Sequence, residues 1–231
     1  SSHRIFRRGA PAAAFRVPYF GAVGATPVHA AEPESPPVAV TRKIKLGVVG
    51  AGRIGKELLR MARAFDLKLL AADPYVNAIE LGYIGARKVD LDTLLAEADF
   101  VVVCCLLNDE TRHLIGAPQF ARMRPTAYFV NVARGPIVDE SALIEALRAG
   151  RIRGAALDVF EREPVDPDNP LLALDNVIVT PHSLCWTDEC FHNMATTGLT
   201  SIVDALAGRV PEFVVNRDVL VHPRVKGWLA G

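Results

Sequence analysis

Three glycines within six residues, Gly50-Ala51-Gly52-Arg53-Ile54-Gly55, follow a short apolar run directly and stand at the head of a helical pattern. In that setting the first glycine permits a tight turn and the second lets backbone N–H groups approach a pyrophosphate. The third lets helix and strand pack closely, while the helix N-terminus faces the phosphate charge. Asp73 closes the next apolar run, at about the 20-residue spacing at which a carboxylate accepts hydrogen bonds from adenosine ribose hydroxyls. Such a carboxylate repels a 2′-phosphate, and Pro74 and Tyr75 rather than an arginine follow it, so the pattern points to NAD over NADP. The alternative is a ligand-free glycine turn with a merely capping Asp, and the joint occurrence of strand, glycines, helix and spaced acid weighs against it.

Three later segments carry ionisable groups: Asn131-Val132-Ala133-Arg134-Gly135, the stretch from Asp158 to Glu163-Pro164, and Thr180-Pro181-His182. Each closes an apolar run that reads as a strand. Ligands of open α/β sheets bind beyond the carboxyl ends of the strands, so Arg134, Glu163 and His182 are expected to converge on one crevice. His182, Cys185, Cys190 and His192 invite a zinc reading, but their spacing matches no common zinc pattern, and no metal is expected. Cys104 and Cys105 would line the cofactor cleft as small hydrophobes. His29, His113 and His222 have no partner that the sequence suggests and are read as solvated or locally bonded.

The elements that must position these groups follow from the apolar pattern. Residues 44–49, 68–72, 100–106, 127–132, 154–157 and 177–180 read as strands whose near-continuous apolar character suits burial on both faces. Helices are expected over 54–65, 92–98 and 140–149, the last closed by Gly150. A longer helix spans 187–206, with Thr187 as N-cap and Asp188 and Glu189 in its first turn. The βα succession predicts an α/β fold with a parallel, doubly wound sheet.

At 231 residues, 50% hydrophobic and 23% charged, the chain is long and apolar enough to bury a core, which excludes the disordered and collagen-like classes. Lys+Arg 26 against Asp+Glu 26 leaves no net charge, so no nucleic-acid or anionic-membrane partner is expected. The apolar run 100–107 falls far short of the roughly 20 residues that span a bilayer. Four cysteines without CxxC spacing argue against a secreted disulfide framework and for a reducing, cytoplasmic compartment. Residues 1–42, with Arg4, Arg7, Arg8 and Arg16 and no acid before Glu32, are read as a disordered leader, with an organelle-import peptide as the alternative.

The ordered set GAGRIG, VNVARGPIVDE, ALDVFEREP and TPH resembles the D-isomer-specific 2-hydroxyacid dehydrogenases, phosphoglycerate dehydrogenase-like members among them, from about residue 43 to about residue 216. The resemblance implies a Rossmann-like NAD-binding domain over 43–188 and a C-terminal helix and tail, 189–231, that would pack on a substrate domain. It implies that Arg134 clamps the carboxylate of a small 2-hydroxy or 2-oxo acid and polarises its C2 carbonyl. His182 would be the general acid of reduction and the base of oxidation, with Glu163 orienting it. By the same resemblance Arg53, Ile54, Leu106, Val132, Ala133 and Arg134 touch NAD, Asp158 holds the nicotinamide carboxamide, and His182, Ser183, Leu184 and Cys185 lie along its ring. Glu163 counts against formate dehydrogenase, a relative that carries Gln there.

The sequence departs from the family in lacking most of the substrate domain that precedes the dinucleotide-binding domain, and a homodimer that draws on that region is not favoured. Leu106 stands where relatives carry proline, and Asn108-Asp109 where Thr-Pro is common. Phe213, Val214, Val215 and Trp228, which would return toward the missing domain, are expected to be exposed. Two functions follow: an NAD-dependent oxidoreductase of small D-2-hydroxy acids, or a catalytically weak NAD-binding module derived from one.

Overall fold

A computed structural model describes residues 43–229, so the expected leader lies outside the described residues. The described chain divides after Pro181 into two compact units. The first contains a parallel sheet of β1 (Lys45–Val49), β2 (Lys68–Ala72), β3 (Ala86–Lys88), β4 (Phe100–Val103), β5 (Tyr128–Asn131), β6 (Gly154–Leu157) and β7 (Val177–Val179), in the order β3-β2-β1-β4-β5-β6-β7. In register, Leu46 lies opposite Leu69 on one side and Phe100 on the other. Chain order reverses between β1 and β4, and this is the switch point at which open α/β sheets bind ligands.

The apolar runs are continuous because alternate residues serve opposite faces. Leu46, Val48, Leu69, Ala71 and Val102 pack into one cluster with Leu59 and Ala62 of α1 (Arg53–Ala62) and Leu81 and Ile84 of α2 (Ala78–Ile84). Val49, Leu70, Val101, Val103 and Phe129 pack into the other, against α3 (Leu91–Glu97), α4 (Ala117–Arg122) and α5 (Glu140–Arg148). Phe120 of α4 meets Phe129 edge-on at 5.3 Å between ring centroids, both rings fully buried. The sheet is therefore doubly wound, as expected.

The differences from the sequence reading have local causes. The run 100–106 leaves the sheet after Val103: Cys104 N still donates to Val49 O at 2.8 Å, and beyond it the chain turns to line a cleft. The segment 54–65 is an α-helix only to Ala62, then a 3-10 turn over Arg63–Phe65 that Asp66 closes with φ 53°. The strand expected over 177–180 ends at Val179. β3, α2 and α4 were not expected from the sequence; β3 has three residues, and α2 begins where the Asn77 side chain accepts from Glu80 N. Gly150, at φ +62°, follows α5 as anticipated.

The second unit begins at His182 and is built on α6 (Asp188–Leu206), whose first turn is capped by the Thr187 hydroxyl accepting from Cys190 N at 3.1 Å. Arg209 closes on Asp204 through Nε at 2.9 Å and Nη2 at 2.7 Å. A final helix, α7, spans Pro223–Leu229. Phe213, Val215 and Trp228 are exposed, and Val214 is half-buried. No helix among the described residues is long and apolar enough to cross a membrane.

Candidate active site

The glycine turn joins β1 to α1. Gly50 takes φ +90°, donates from N to Ala72 O at 2.9 Å, and lies so near the β4 loop that a Cβ would fall 2.4 Å from the Cys105 backbone. A Cβ on Gly55 would fall 2.2 Å from Gly50 O, so this glycine also answers to packing. Gly52 differs: at φ −70° its Cβ would meet nothing within 4 Å. The first turn of α1 carries neither a side-chain cap nor an acidic residue, so the positive end of its dipole lies beside the open space over Gly52 with no carboxylate of its own helix against it.

Asp73 follows β2 immediately and is half-buried. Its Oδ2 accepts from Ala51 N at 2.8 Å, and its Oδ1 from Tyr75 N at 2.8 Å and Val76 N at 3.1 Å. The carboxylate thus ties the glycine turn to the β2 loop. A carboxylate has about four lone-pair sites, so capacity remains for a ligand hydroxyl. These groups border a cavity of about 980 Å³ whose walls include Gly50, Gly52, Asp73, Tyr75, Cys105 and Leu106. That volume lies at the upper end of the usual range for small-molecule sites. Burial, reinforced by the neighbouring Cys105, pushes the Cys104 thiol up to about 11, and burial raises Cys105 as well. Both stay neutral near pH 7, as small apolar liners do. The open face of Gly52, the uncapped helix end and the acid beside them fit a dinucleotide.

Beyond β5 the buried Asn131 shapes the next loop, its Oδ1 accepting from Ala133 N at 3.1 Å and its Nδ2 donating to Arg134 O at 3.0 Å. Arg134 is exposed on the turn so formed, with Nη1 donating to Ala133 O at 2.6 Å. Gly135 packs against the β6 loop so closely that a Cβ would fall 1.8 Å from Phe160 O. In that second loop Phe160 N donates to Glu163 Oε1 at 3.0 Å. The loops bearing Arg134 and Glu163 therefore meet backbone to backbone. Asp158, buried at the end of β6, donates from N to Asn131 O at 3.1 Å and accepts from the Thr180 hydroxyl at 2.6 Å.

Sequence reasoning missed two contributors to this edge. Asn131 was quoted without a role, although a buried amide at a strand end commonly closes a turn. His113 has a partner 48 residues away: its Nε2 bonds Glu161 Oε1, and its backbone N donates to Pro136 O at 2.9 Å. Glu161 N in turn donates to Glu140 Oε2 at 2.9 Å, so the loops after β4, β5 and β6 are laced together.

The first unit thus gathers Gly50, Gly52, Asp73 and Leu106 on one cleft, and Arg134, Asp158 and Glu163 on joined loops at the carboxyl end of the same sheet. Arg53 and Ile54 are exposed at the start of α1; Val132 is half-buried and Ala133 buried. His182 opens the second unit, half-buried with φ +51°, a conformation uncommon for a residue with a Cβ. Ser183 is half-buried beside it, and Leu184 and Cys185 are exposed. Among the described residues no group of three or more His, Cys, Asp or Glu could hold a metal ion.

The family model described as "D-isomer specific 2-hydroxyacid dehydrogenase, NAD binding domain" matches residues 28–183. A protein of Shigella boydii serotype 4 named glyoxylate/hydroxypyruvate reductase B is 48% identical over 177 residues, 75% of this chain and 54% of that protein. Its Cronobacter sakazakii namesake is 46% identical over 172 residues, 74% and 53% of the two chains. The NAD-complexed D-isomer specific 2-hydroxyacid dehydrogenase of Lactobacillus delbrueckii ssp. bulgaricus aligns at TM-score 0.68 and 33% identity, covering 75% of this chain and 56% of that one. The holo D-mandelate dehydrogenase of Rhodotorula graminis aligns at TM-score 0.71 and 34% identity, covering 76% and 52%. The chain spans about half the length of the curated relatives it matches.

Proposed function

We propose, since this chain belongs to the D-isomer specific 2-hydroxyacid dehydrogenase family and carries its NAD binding domain, that it serves the reduction of a small 2-oxo acid to the D-2-hydroxy acid. The observation that carries the reading is the join, through Gly135, of the Arg134 loop to the Glu163 loop, at the sheet edge that also bears the glycine turn. Bound NADH would supply the hydride. Gly50, Gly52, Gly55, Arg53, Ile54, Asp73 and Leu106 would hold the dinucleotide, and Val132, Ala133, Asp158 and His182 to Cys185 would border its nicotinamide.

Arg134, planar and always charged, would bind the substrate carboxylate in bidentate fashion and polarise the C2 carbonyl. His182 would pass a proton to the C2 oxygen in reduction and take it back in oxidation, a task suited to a side chain that can both donate and accept a proton. Glu163 would be the carboxylate that orients its ring. We assign 43–188 to the dinucleotide-binding domain and 189–231 to a C-terminal segment that would pack on a substrate domain. The names of the bacterial reductases make glyoxylate and hydroxypyruvate the first substrates to try. Four free cysteines suit a reducing, cytoplasmic setting.

The test is NADH oxidation with glyoxylate and hydroxypyruvate, for the parent and for His182→Ala. Turnover that falls by about 10²–10⁴-fold in the variant supports the assignment. NADH binding without turnover in the parent would leave an NAD-binding module derived from a dehydrogenase, and turnover indifferent to His182 would remove its role.

A further inference from the structure

Glu163 stands on the outer part of the loop after β6, and that part is held by side chains. The Phe160 and Glu161 N–H groups donate to carboxylates rather than to backbone carbonyls, Phe160 N to Glu163 Oε1 at 3.0 Å and Glu161 N to Glu140 Oε2 at 2.9 Å. Glu140 is steadied in turn by Asn169, whose Nδ2 donates to its Oε1 at 2.7 Å. A further bond leads across to the loop after β4: His113 Nε2 meets Glu161 Oε1, two residues before Glu163.

His113 also reaches the turn that carries Arg134. Its N donates to Pro136 O at 2.9 Å, and Ile115 N follows it onto Ile137 O at 3.1 Å. One residue thus holds the Arg134 turn by its backbone and the Glu163 loop by its ring. It does so at φ +51°, a conformation that costs energy and persists only where the surroundings impose it, and such outliers point to function. Stability does not account for the pair, because both side chains are partly exposed and ion pairs so placed contribute little. Position does. Gly135 against Phe160 O is one point of contact between the Arg134 turn and the Glu163 loop, and His113 on Glu161 supplies a second. Two points stop a loop from pivoting about the first.

We propose that His113 and Glu161 are positioning residues, whose bond keeps the Glu163 loop from pivoting on Gly135 and so fixes Glu163 relative to Arg134. The inference rests on the roles proposed above for Arg134 and Glu163. It is tested on the full chain with His113→Asn, which tolerates a positive φ but is shorter than the ring it replaces, and from the other side with Glu161→Ala. Each should lower kcat for glyoxylate reduction roughly tenfold, through misplacement alone, while the Kd of NADH and the urea midpoint stay at the parent's values. Amide exchange over residues 160–163, followed by mass spectrometry, should quicken roughly tenfold. The double variant should lose no more than either single one, because both remove the same bond. Glu161→Gln, whose amide oxygen still accepts from the ring, should recover most of the rate. A kcat within twofold of the parent in both single variants, or losses that multiply in the double variant, would overturn the positioning role. So would a urea midpoint that falls in step with the rate, since the pair would then serve the fold alone. A parent that reduces neither glyoxylate nor hydroxypyruvate would overturn the reading of the reaction instead, and unchanged exchange over 160–163 in both variants would overturn the hold on the loop whatever the turnover.

Discussion

Gly52→Ala separates binding from folding. At φ −70° and ψ −159° the backbone suits any residue, and the added methyl meets nothing within 4 Å. Exchanging one uncapped N-cap residue for another should cost at most about 1 kcal/mol of stability. The methyl would nevertheless stand where phosphate oxygens must approach the N–H groups of the α1 terminus. Losing one charge-assisted hydrogen bond, about 1.5–3 kcal/mol, weakens NAD by roughly 10–150-fold. Gly55→Ala is the reference: its Cβ would strike Gly50 O at 2.2 Å and Val48 Cγ1 at 3.1 Å, and overpacking against backbone costs about 1–3 kcal/mol or more. Urea unfolding with and without NAD reads both terms. With NAD at a hundredfold the parent's Kd, the parent gains about 2.7 kcal/mol, and a variant bound tenfold more weakly gains about 1.4 kcal/mol. A Gly52→Ala protein that binds NAD as tightly as the parent would refute the placement of the pyrophosphate, and one as unstable as Gly55→Ala would refute the open space.

Asp73→Ala removes the acceptor of three backbone N–H groups, so it should lower stability by about 1–3 kcal/mol as well as erode the preference for NAD over NADP; titration with both dinucleotides checks the second effect, and an unchanged ratio of Kd values would count against it. The Cys104 thiol, pushed up to about 11 by burial, should react slowly with Ellman's reagent at pH 8 and faster only as pH climbs toward that value. Peptide mapping should find the exposed Cys185 labelled first, and early loss of Cys104 would contradict its burial. The Ser141 hydroxyl and Ala142 N–H hold the Asp139 carboxyl below its ordinary value at the N-cap of α5. A folded pKa below the unfolded one gives stability that is complete above about pH 4 and lost as pH falls through the lowered value. Asp139→Ala should therefore cost about 1 kcal/mol in urea unfolding at pH 7, with the gap to the parent closing in acid.

What could be read in the sequence was what is local. β2 and β6 emerge at their full lengths because Lys68–Ala72 and Gly154–Leu157 end where the apolar run ends. β4 was overextended because the chain stays apolar after leaving the sheet: Cys104 to Leu106 exchange strand neighbours for a cleft wall. β3 was missed because Ala86-Arg87-Lys88 is an edge strand whose shape comes from pairing with Leu69 to Ala71, a tertiary fact with no apolar trace. α2 had a legible cap in Asn77 and Glu80, but its seven residues are too few to show a period.

The site divides along the same line. The glycine turn is a contiguous device whose constraints lie within six residues, and Gly50, Gly52 and Gly55 have three different surroundings in the fold. The loops beyond β4, β5 and β6 are shaped instead by partners far apart in sequence: His113 with Glu161, Gly135 with Phe160, and Asp158 with Thr180. None of these pairs has a spacing that composition or periodicity could flag. Asp73 shows how the two kinds of information combine. Its position one residue past β2 suggested an acceptor for a ribose, and the fold adds that the same carboxylate, through Ala51 N, ties down the glycine turn proposed to meet the pyrophosphate. On the cofactor placement proposed above, the selectivity of the cleft and the shape of its phosphate cradle depend on one side chain, so a substitution that alters the first should also disturb the second.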